Sequence, residues 1–275
     1  MKNILVPTDL KTSSQHVLNY AADLALETGS AMTLLHCFQI PNTVSEIPVT
    51  SLSLQYAEQQ VATELEQIAG RLKLRTGNKV DIEIVERLGD VVECIDIYCR
   101  EKGAWAVLMG SESMGALERF VLGGKTIEAV RYVNKPIIVV GKNQVFAPFK
   151  KMGFACDLRE VNDSLHLEEL ALFFANFQPE LHILHVNPDA TGMKSEETLT
   201  ESMTLSKMLQ AYKPHFHFLS GANIEKAIGD YLARHNIDLL LLVPKKNHLL
   251  SRLFGRTHIN HWLTNATVPV LTIKA

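Results

Sequence analysis

Apolar positions along the chain gather into short dense runs separated by longer stretches of helical spacing. The runs "NILVPT" (3–8), "AMTLLHCF" (31–38), "DIEIVE" (81–86), "WAVLMG" (105–110) and "PIIVVG" (136–141) are rich in Val, Ile and Leu. Such near-continuous apolar character predicts strands covered on both faces. Between them, "SSQHVLNYAADLALETG", "SLQYAEQQVATELEQIAGRLKLRTG" and "VVECIDIYCREKG" place apolar residues at helical intervals, with Ser or Asp near the start and Gly near the end. Strict alternation of strand and helix implies a parallel sheet with right-handed crossovers.

The same order occurs twice. "NILVPTDLKTSSQHVLNYAADLA" returns as "KMGFACDLREVNDSLHLEELALFFA", so that Asp9-Leu10-Lys11 matches Asp157-Leu158-Arg159. "AMTLLHCFQIP" is echoed by "ELHILHVNP", which aligns His36 with His185, and Gly89 has its counterpart in Gly221. "VNKPIIVVG" returns as "ATVPVLTIK". The spacing between matched marks shrinks along the chain, so the second copy is shortened in its middle. Repetition of a whole strand and helix series predicts a tandem duplication, with domains at 1–147 and 148–275. Each is expected to be a small doubly wound, Rossmann-like α/β domain around a five-stranded parallel sheet. Sheets of this kind bind ligands outside the carboxyl ends of their strands, which places Asp9, Cys37 and the Gly110 to Thr126 segment along one rim.

Composition narrows the partners. With 47% hydrophobic and 21% charged residues and a net charge of -3, the chain is an ordinary globular protein with no general attraction to nucleic acid. Aromatic residues are 7% of the total and form no stacking platform within a basic stripe, which argues against single-stranded nucleic acid. No apolar run reaches the length of a membrane span, and the N-terminus enters a strand directly, so the expectation is a cytoplasmic protein away from membranes. Cys37, Cys94, Cys99 and Cys156 lack metal-binding spacing and suit a reducing compartment.

The segment "VLMGSESMGALERFVLGGKT" (107–126) ends in Gly-Lys-Thr, but Arg119 stands where a P-loop requires glycine, so the strict phosphate loop fails. What remains is a strand, a glycine-punctuated loop and a helix start. Exposed N–H groups and the helix dipole favour an anion at such a place. Two readings stay open from these residues alone: an anion cradle, or a loop in which glycine serves only the turn.

With five landmarks in order, twice, the chain resembles the universal stress protein family over its whole length. The carrying residues are Pro7-Thr8-Asp9 at the first strand end, Leu34-Leu35-His36-Cys37 at the second, and the glycines around 110–126. The resemblance implies two such domains related by a pseudo-twofold axis, whose last strands, "PIIVVG" and "PVLTIK", are apolar edges that pair within the chain. Dimerisation of the whole chain is a further expectation. It also implies an adenine nucleotide, ATP or another adenylate, with or without Mg, in the first domain. Pro7, Thr8 and Asp9 would meet the ribose or adenine side, and the Cys37 backbone would read the adenine edge. N–H groups of Gly110, Ser111 and Ser113 and of Gly123, Gly124, Lys125 and Thr126 would hold the phosphates. The family pattern has glycine where Ser113 stands and a hydroxyl residue where Gly124 stands, with Thr126 able to supply a hydroxyl from further along. Glu112 adds a carboxylate beside the phosphate path, which Lys125 and Arg119 partly offset.

In the second copy Val243 or Pro244 replaces the first glycine and Lys246 or Asn247 the second, leaving Gly255. Proline has no N–H to offer, so the cradle is expected to be lost there. Lys245, Lys246, Arg252 and Arg256 read as a solvated basic face. Nine of eleven histidines lie in the second half, yet His182 and His185 point to opposite faces of one strand. His215 with His217, and His258 with His261, share faces, but no Cys or carboxylate pattern completes a metal site. No nucleophile elbow or assignable base occurs, so no catalytic residue is expected. Residues 39–55 read as a long surface connection, a ligand lid or partner contact being the alternative. The function expected is a non-catalytic, ATP-binding sensor or regulator of the stress response. The alternatives are a nucleotide-free scaffold and a weak Mg-dependent ATPase.

Overall fold

The computed structural model describes residues 2–38, 51–111, 123–165, 167–187, 196–244 and 256–274. Contacts divide the chain into two compact units, Met1–Leu108 and Met109–Ala275.

The first unit contains β1 (Asn3–Pro7), α1 (Gln15–Thr28), β2 (Ala31–Phe38), α2 (Ser51–Arg75), β3 (Ile82–Leu88), α3 (Val91–Glu101) and most of β4 (Ala106–Gly110). Its strands lie in the order β3-β2-β1-β4, every pair parallel. Ile4, Leu5, Val6, Leu34, Leu35, Val107 and Leu108 are fully or almost fully buried, as strands with helices on both faces require. The α1 helix buries Val17, Leu18, Ala21, Ala22, Leu24 and Ala25, and stops at Gly29, whose φ of 60° is the left-handed C-cap conformation glycine adopts freely. Asp90 starts α3 by accepting from Val92 N at 2.9 Å.

The second unit holds α4 (Gly123–Tyr132), β5 (Ile137–Val140), β6 (Lys151–Ala155), α5 (Val161–Ser164), α6 (Leu167–Phe177), β7 (Glu180–Asn187), α7 (Glu196–Met208), β8 (His215–Ser220), α8 (Ile224–His235), β9 (Leu239–Leu242), α9 (Arg256–Asn265) and β10 (Val270–Thr272). Its strands run β5-β10-β9-β6-β7-β8. All described pairs are parallel except β5 with β10, which pair antiparallel through Ile138 and Leu271. Phe149, Phe173 and Phe177 pack ring against ring at 4.8 to 5.7 Å beneath α6.

Two expectations need correction. β3 and β8 are half-exposed along their length, since each is an edge strand with one neighbour. Ser51 already belongs to α2, so 51–55 is helical instead of loop; residues 39–50 lie outside the described residues.

The two copies repeat local detail as well as element order. Leu10 and Leu158 both adopt positive φ, 63° and 50°, directly after the paired aspartates. His36 Nδ1 lies 2.9 Å from Thr8 O, and His185 Nδ1 lies 3.0 Å from Cys156 O. Tyr98 OH meets Thr33 Oγ1 at 2.8 Å, and Tyr231 OH meets His182 Nδ1 at 2.9 Å.

Candidate functional site

In the first unit, Pro7 ends β1 opposite Leu35, and Thr8 N prolongs the ladder onto Leu35 O at 2.9 Å. The buried Thr8 hydroxyl accepts from Leu10 N at 3.2 Å, which helps hold Leu10 in its left-handed conformation. That conformation costs a non-glycine residue about 1–2 kcal/mol, so the turn after β1 is built against local preference. Asp9 closes the turn by accepting from Lys11 N at 3.1 Å and from Ser14 Oγ at 2.6 Å, with Lys11 Nζ 3.5 Å away. Partial burial works to raise the Asp9 pKa, but these hydrogen bonds and the Lys11 charge outweigh it and hold the carboxyl below its ordinary 3.8. Asp9 is therefore a fixed, ionised acceptor at neutral pH and a poor general base.

Cys37 sits in β2 opposite Arg87. Burial, and next the neighbouring Cys94 thiol, push its own thiol upward, so it is no nucleophile. Its backbone is the more informative part. Leu35 O faces β1 and Phe38 O faces β3, where it accepts from Gly89 N at 2.8 Å. Alternation along a strand turns Cys37 N–H and C=O to the β1 side, two residues beyond the last β1 partner. Those groups point at the rim.

In the second unit, Gly110 ends β4 and Ser111 N donates to Val140 O at 2.8 Å. Gly123 and Gly124 open α4, and Lys125 in its first turn pairs with Glu128 at 2.8 Å. The Thr126 hydroxyl, 4% exposed, donates to Gly110 O at 3.0 Å. That proton ties the start of α4 to the end of β4 instead of pointing outward, a use the spacing alone did not suggest. A Cβ on Gly124 would meet nothing within 4 Å, so there is open space at the helix start. Ser113, with Glu112 and Arg119, lies outside the described residues.

In the second copy, Lys245, Lys246, Asn247, Arg252 and Gly255 also lie outside the described residues. His258, in the first turn of α9, has its Nδ1 2.5 Å from Glu225 Oε1. Among the described residues no three His, Cys, Asp or Glu groups are placed to hold a metal ion, and no helix is long and apolar enough to cross a membrane.

The profile of the universal stress protein family matches residues 1–141. The chain belongs to this family. Two solved structures resemble it along nearly its full length. A universal stress protein from Archaeoglobus fulgidus DSM 4304 shares 19% identity with a TM-score of 0.72, covering 99% of this chain and 96% of its own. A putative universal stress protein from Pseudomonas aeruginosa UCBPP-PA14 shares 14% identity with a TM-score of 0.56, covering 100% and 93%. At these identities the likeness shows the fold. No curated protein matches the chain.

Sequence reasoning aligned His36 with His185 without seeing their task. In this universal stress protein each imidazole holds the carbonyl at the end of its neighbouring first strand, Thr8 O or Cys156 O. A histidine at the same place in two copies of one rim was the available signal.

Proposed function

We propose that this universal stress protein binds an adenine nucleotide, ATP with Mg, and works as a cytoplasmic sensor or regulator of the stress response instead of an enzyme. The observation that carries the reading is the Thr126 to Gly110 hydrogen bond, which fixes a helix start bearing Gly123 and Gly124 against a strand end. The N–H groups of a helix start, the helix dipole and Lys125 suit a phosphate. The phosphate contacts carried over to Gly110, Ser113, Gly123, Gly124, Lys125 and Thr126, and to Ser111 through its hydroxyl because its N–H already donates to Val140 O, are proposed independently of the nucleoside contacts carried over to Pro7, Thr8, Asp9 and Cys37. Asp9, held ionised, suits a ribose hydroxyl as acceptor. The outward backbone of Cys37 offers a donor and an acceptor to a base edge. Asp9, held ionised, is a poor base and Cys37, held protonated, a poor nucleophile, which supports storage or sensing over turnover.

We also retain the duplication with its seam at 147/148, the second copy serving as a structural partner. The antiparallel β5 and β10 pair is consistent with joining of the copies through their last strands. Association of two chains is proposed as well.

Calorimetric titration of nucleotide-stripped protein with ATP and Mg tests the reading. One site per chain, without phosphate release over hours, is expected. Absence of both heat and thermal stabilisation by ATP overturns it, and rapid phosphate release replaces the sensor with an ATPase.

A further inference from the structure

The second unit carries a histidine cluster where β7, β8 and α8 meet. The His182 and His217 rings stack at 5.2 Å and 17°. His215 lies 6.0 Å from His182, and His235 lies 6.1 Å from His217 and 6.3 Å from His182. Tyr231 stacks on His235 at 4.0 Å. The charged groups facing the cluster are Glu180 from β7, whose Oε1 is 3.1 Å from His182 Nε2, and Lys151 from β6, whose Nζ reaches His235 O at 3.3 Å. The Glu180 contact has ion-pair distance without hydrogen-bond alignment. His217 Nε2 is buried with no hydrogen-bond partner among the described residues.

The first copy builds the same corner from other groups. Register places Thr33 opposite Glu83 and Leu35 opposite Val85, as it places His182 opposite His215 and Leu184 opposite His217. Tyr98 bonds Thr33 as Tyr231 bonds His182. Threonine, glutamate and valine thus stand where the second copy has three histidines.

We propose that this cluster is a proton-operated latch, closed when its imidazoles are neutral, that releases the edge strand β8 and α8 from β7 on mild acidification. Closed, His182 Nδ1 accepts from the Tyr231 hydroxyl, which stays protonated because burial and then Glu180 push its pKa up. Neutral imidazoles stack without repulsion. Protonated, four cations share one carboxylate within ring-contact distance, with Lys151 adding a fifth positive charge. Acidification to about pH 5–6 is the range in which histidine clusters flip interfaces.

Burial, and then neighbouring charges, hold both His182 and His217 below the ordinary 6.5, with Glu180 opposing. For His182 the neighbours are His217, His215 and Lys151; for His217 they are His235 and His215. A base whose pKa is depressed in the closed form binds protons more readily once opened. Closure is therefore at full strength above 6.5 and weakens as pH falls from 6.5 through the lower closed-state values.

Hydrogen exchange of residues 215–220, corrected for intrinsic rates and run with a chelator at pH 7.5 and 5.5, tests the latch. Protection of β8 is expected to fall at least about fivefold at the lower pH, because both His182 and His217 bind protons more readily once the strand opens. Protection of β3 should not change. The variant pairing His182→Thr with His217→Val, the residues of the first copy, should keep β8 protection equal at both pH values. Unchanged wild-type protection at pH 5.5, or an equal loss in the variant, overturns the proposal. So does a loss that appears only with added Zn2+, which would indicate a metal site. Should the double variant fail to fold, NMR titration of the wild-type imidazoles decides: values for His182 and His217 at or above 6.5 overturn the latch, and values below it support it.

Discussion

Replacing Gly124 by Asp separates a phosphate-binding helix start from a glycine that serves only the chain turn. A Cβ at Gly124 meets nothing within 4 Å, so the side chain enters open space and packing is untouched. An acid in the first turn of a helix interacts favourably with the dipole by about 0.3–1 kcal/mol, so α4 should hold or gain stability. The added carboxylate would lie roughly 5 Å from a phosphate held by the N–H groups of the same turn. At that distance each unit of phosphate charge is opposed by about 1–3 kcal/mol for an effective dielectric between those of water and protein surface. Affinity for ATP should therefore fall roughly five- to a hundredfold, while the melting temperature without nucleotide stays at or slightly above wild type. Titration calorimetry reads the first quantity and a thermal melt the second. Wild-type affinity in Gly124→Asp would refute the placement of phosphates at α4, and a lowered melting temperature would refute the claim of open space.

Other expectations follow from packing and protonation. Tyr98→Phe removes the hydroxyl shared by Asn3 Nδ2 at 2.9 Å and Thr33 Oγ1 at 2.8 Å, in a side chain only 2% exposed; chemical denaturation should register a loss of about 1–3 kcal/mol. Gly153→Ala drives a Cβ to 3.2 Å from Leu184, 3.3 Å from Leu232 and 3.4 Å from Ile237, and because these are side-chain ends that shift, the cost should sit near the lower end of about 1–3 kcal/mol. Burial raises the Glu225 pKa, but its own backbone N–H and His258 outweigh that and lower it. Its stabilising effect is thus present above the ordinary 4.5 and is lost as pH falls through the lower folded value. Urea unfolding of Glu225→Gln should show a shallower loss of stability between pH 5 and pH 3 than wild type.

The alternation of apolar runs with helical spacing carried the element order through both copies, since burial of a sheet on two faces leaves a dense, readable pattern. β3 was misjudged because "DIEIVE" really does alternate, as a strand with one neighbour and an open side should. Pairing of β5 with β10 was expected from two apolar edge runs, but its antiparallel direction is a tertiary outcome that no local pattern encodes. The Thr126 hydroxyl shows the same limit at the site: spacing placed it at a helix start, but only packing turns it onto Gly110 O. The histidine corner was half legible. Periodicity set His215 and His217 on one face and parted His182 from His185, yet His235 reaches the group from α8.

The rims of the two copies also bear on how many nucleotides the proposed function allows per chain. Both keep the aspartate, the left-handed leucine and the imidazole on the strand-end carbonyl, so these features answer to the turn after the first strand and do not by themselves select a ligand. The difference lies at the helix that follows the fourth strand. In the first copy its start carries Gly123 and Gly124 and is anchored by a neutral hydroxyl, with Lys125 paired to Glu128 in the same helix. In the second, His258 in the first turn of α9 is paired with Glu225 in the first turn of α8. A phosphate arriving there would face a carboxylate and would have to compete with it for the imidazole. One nucleotide per chain is the stoichiometry this argument requires; two sites of similar affinity in calorimetry would show that the His258 and Glu225 pair yields to an anion and would return the second copy to the candidates for a binding site.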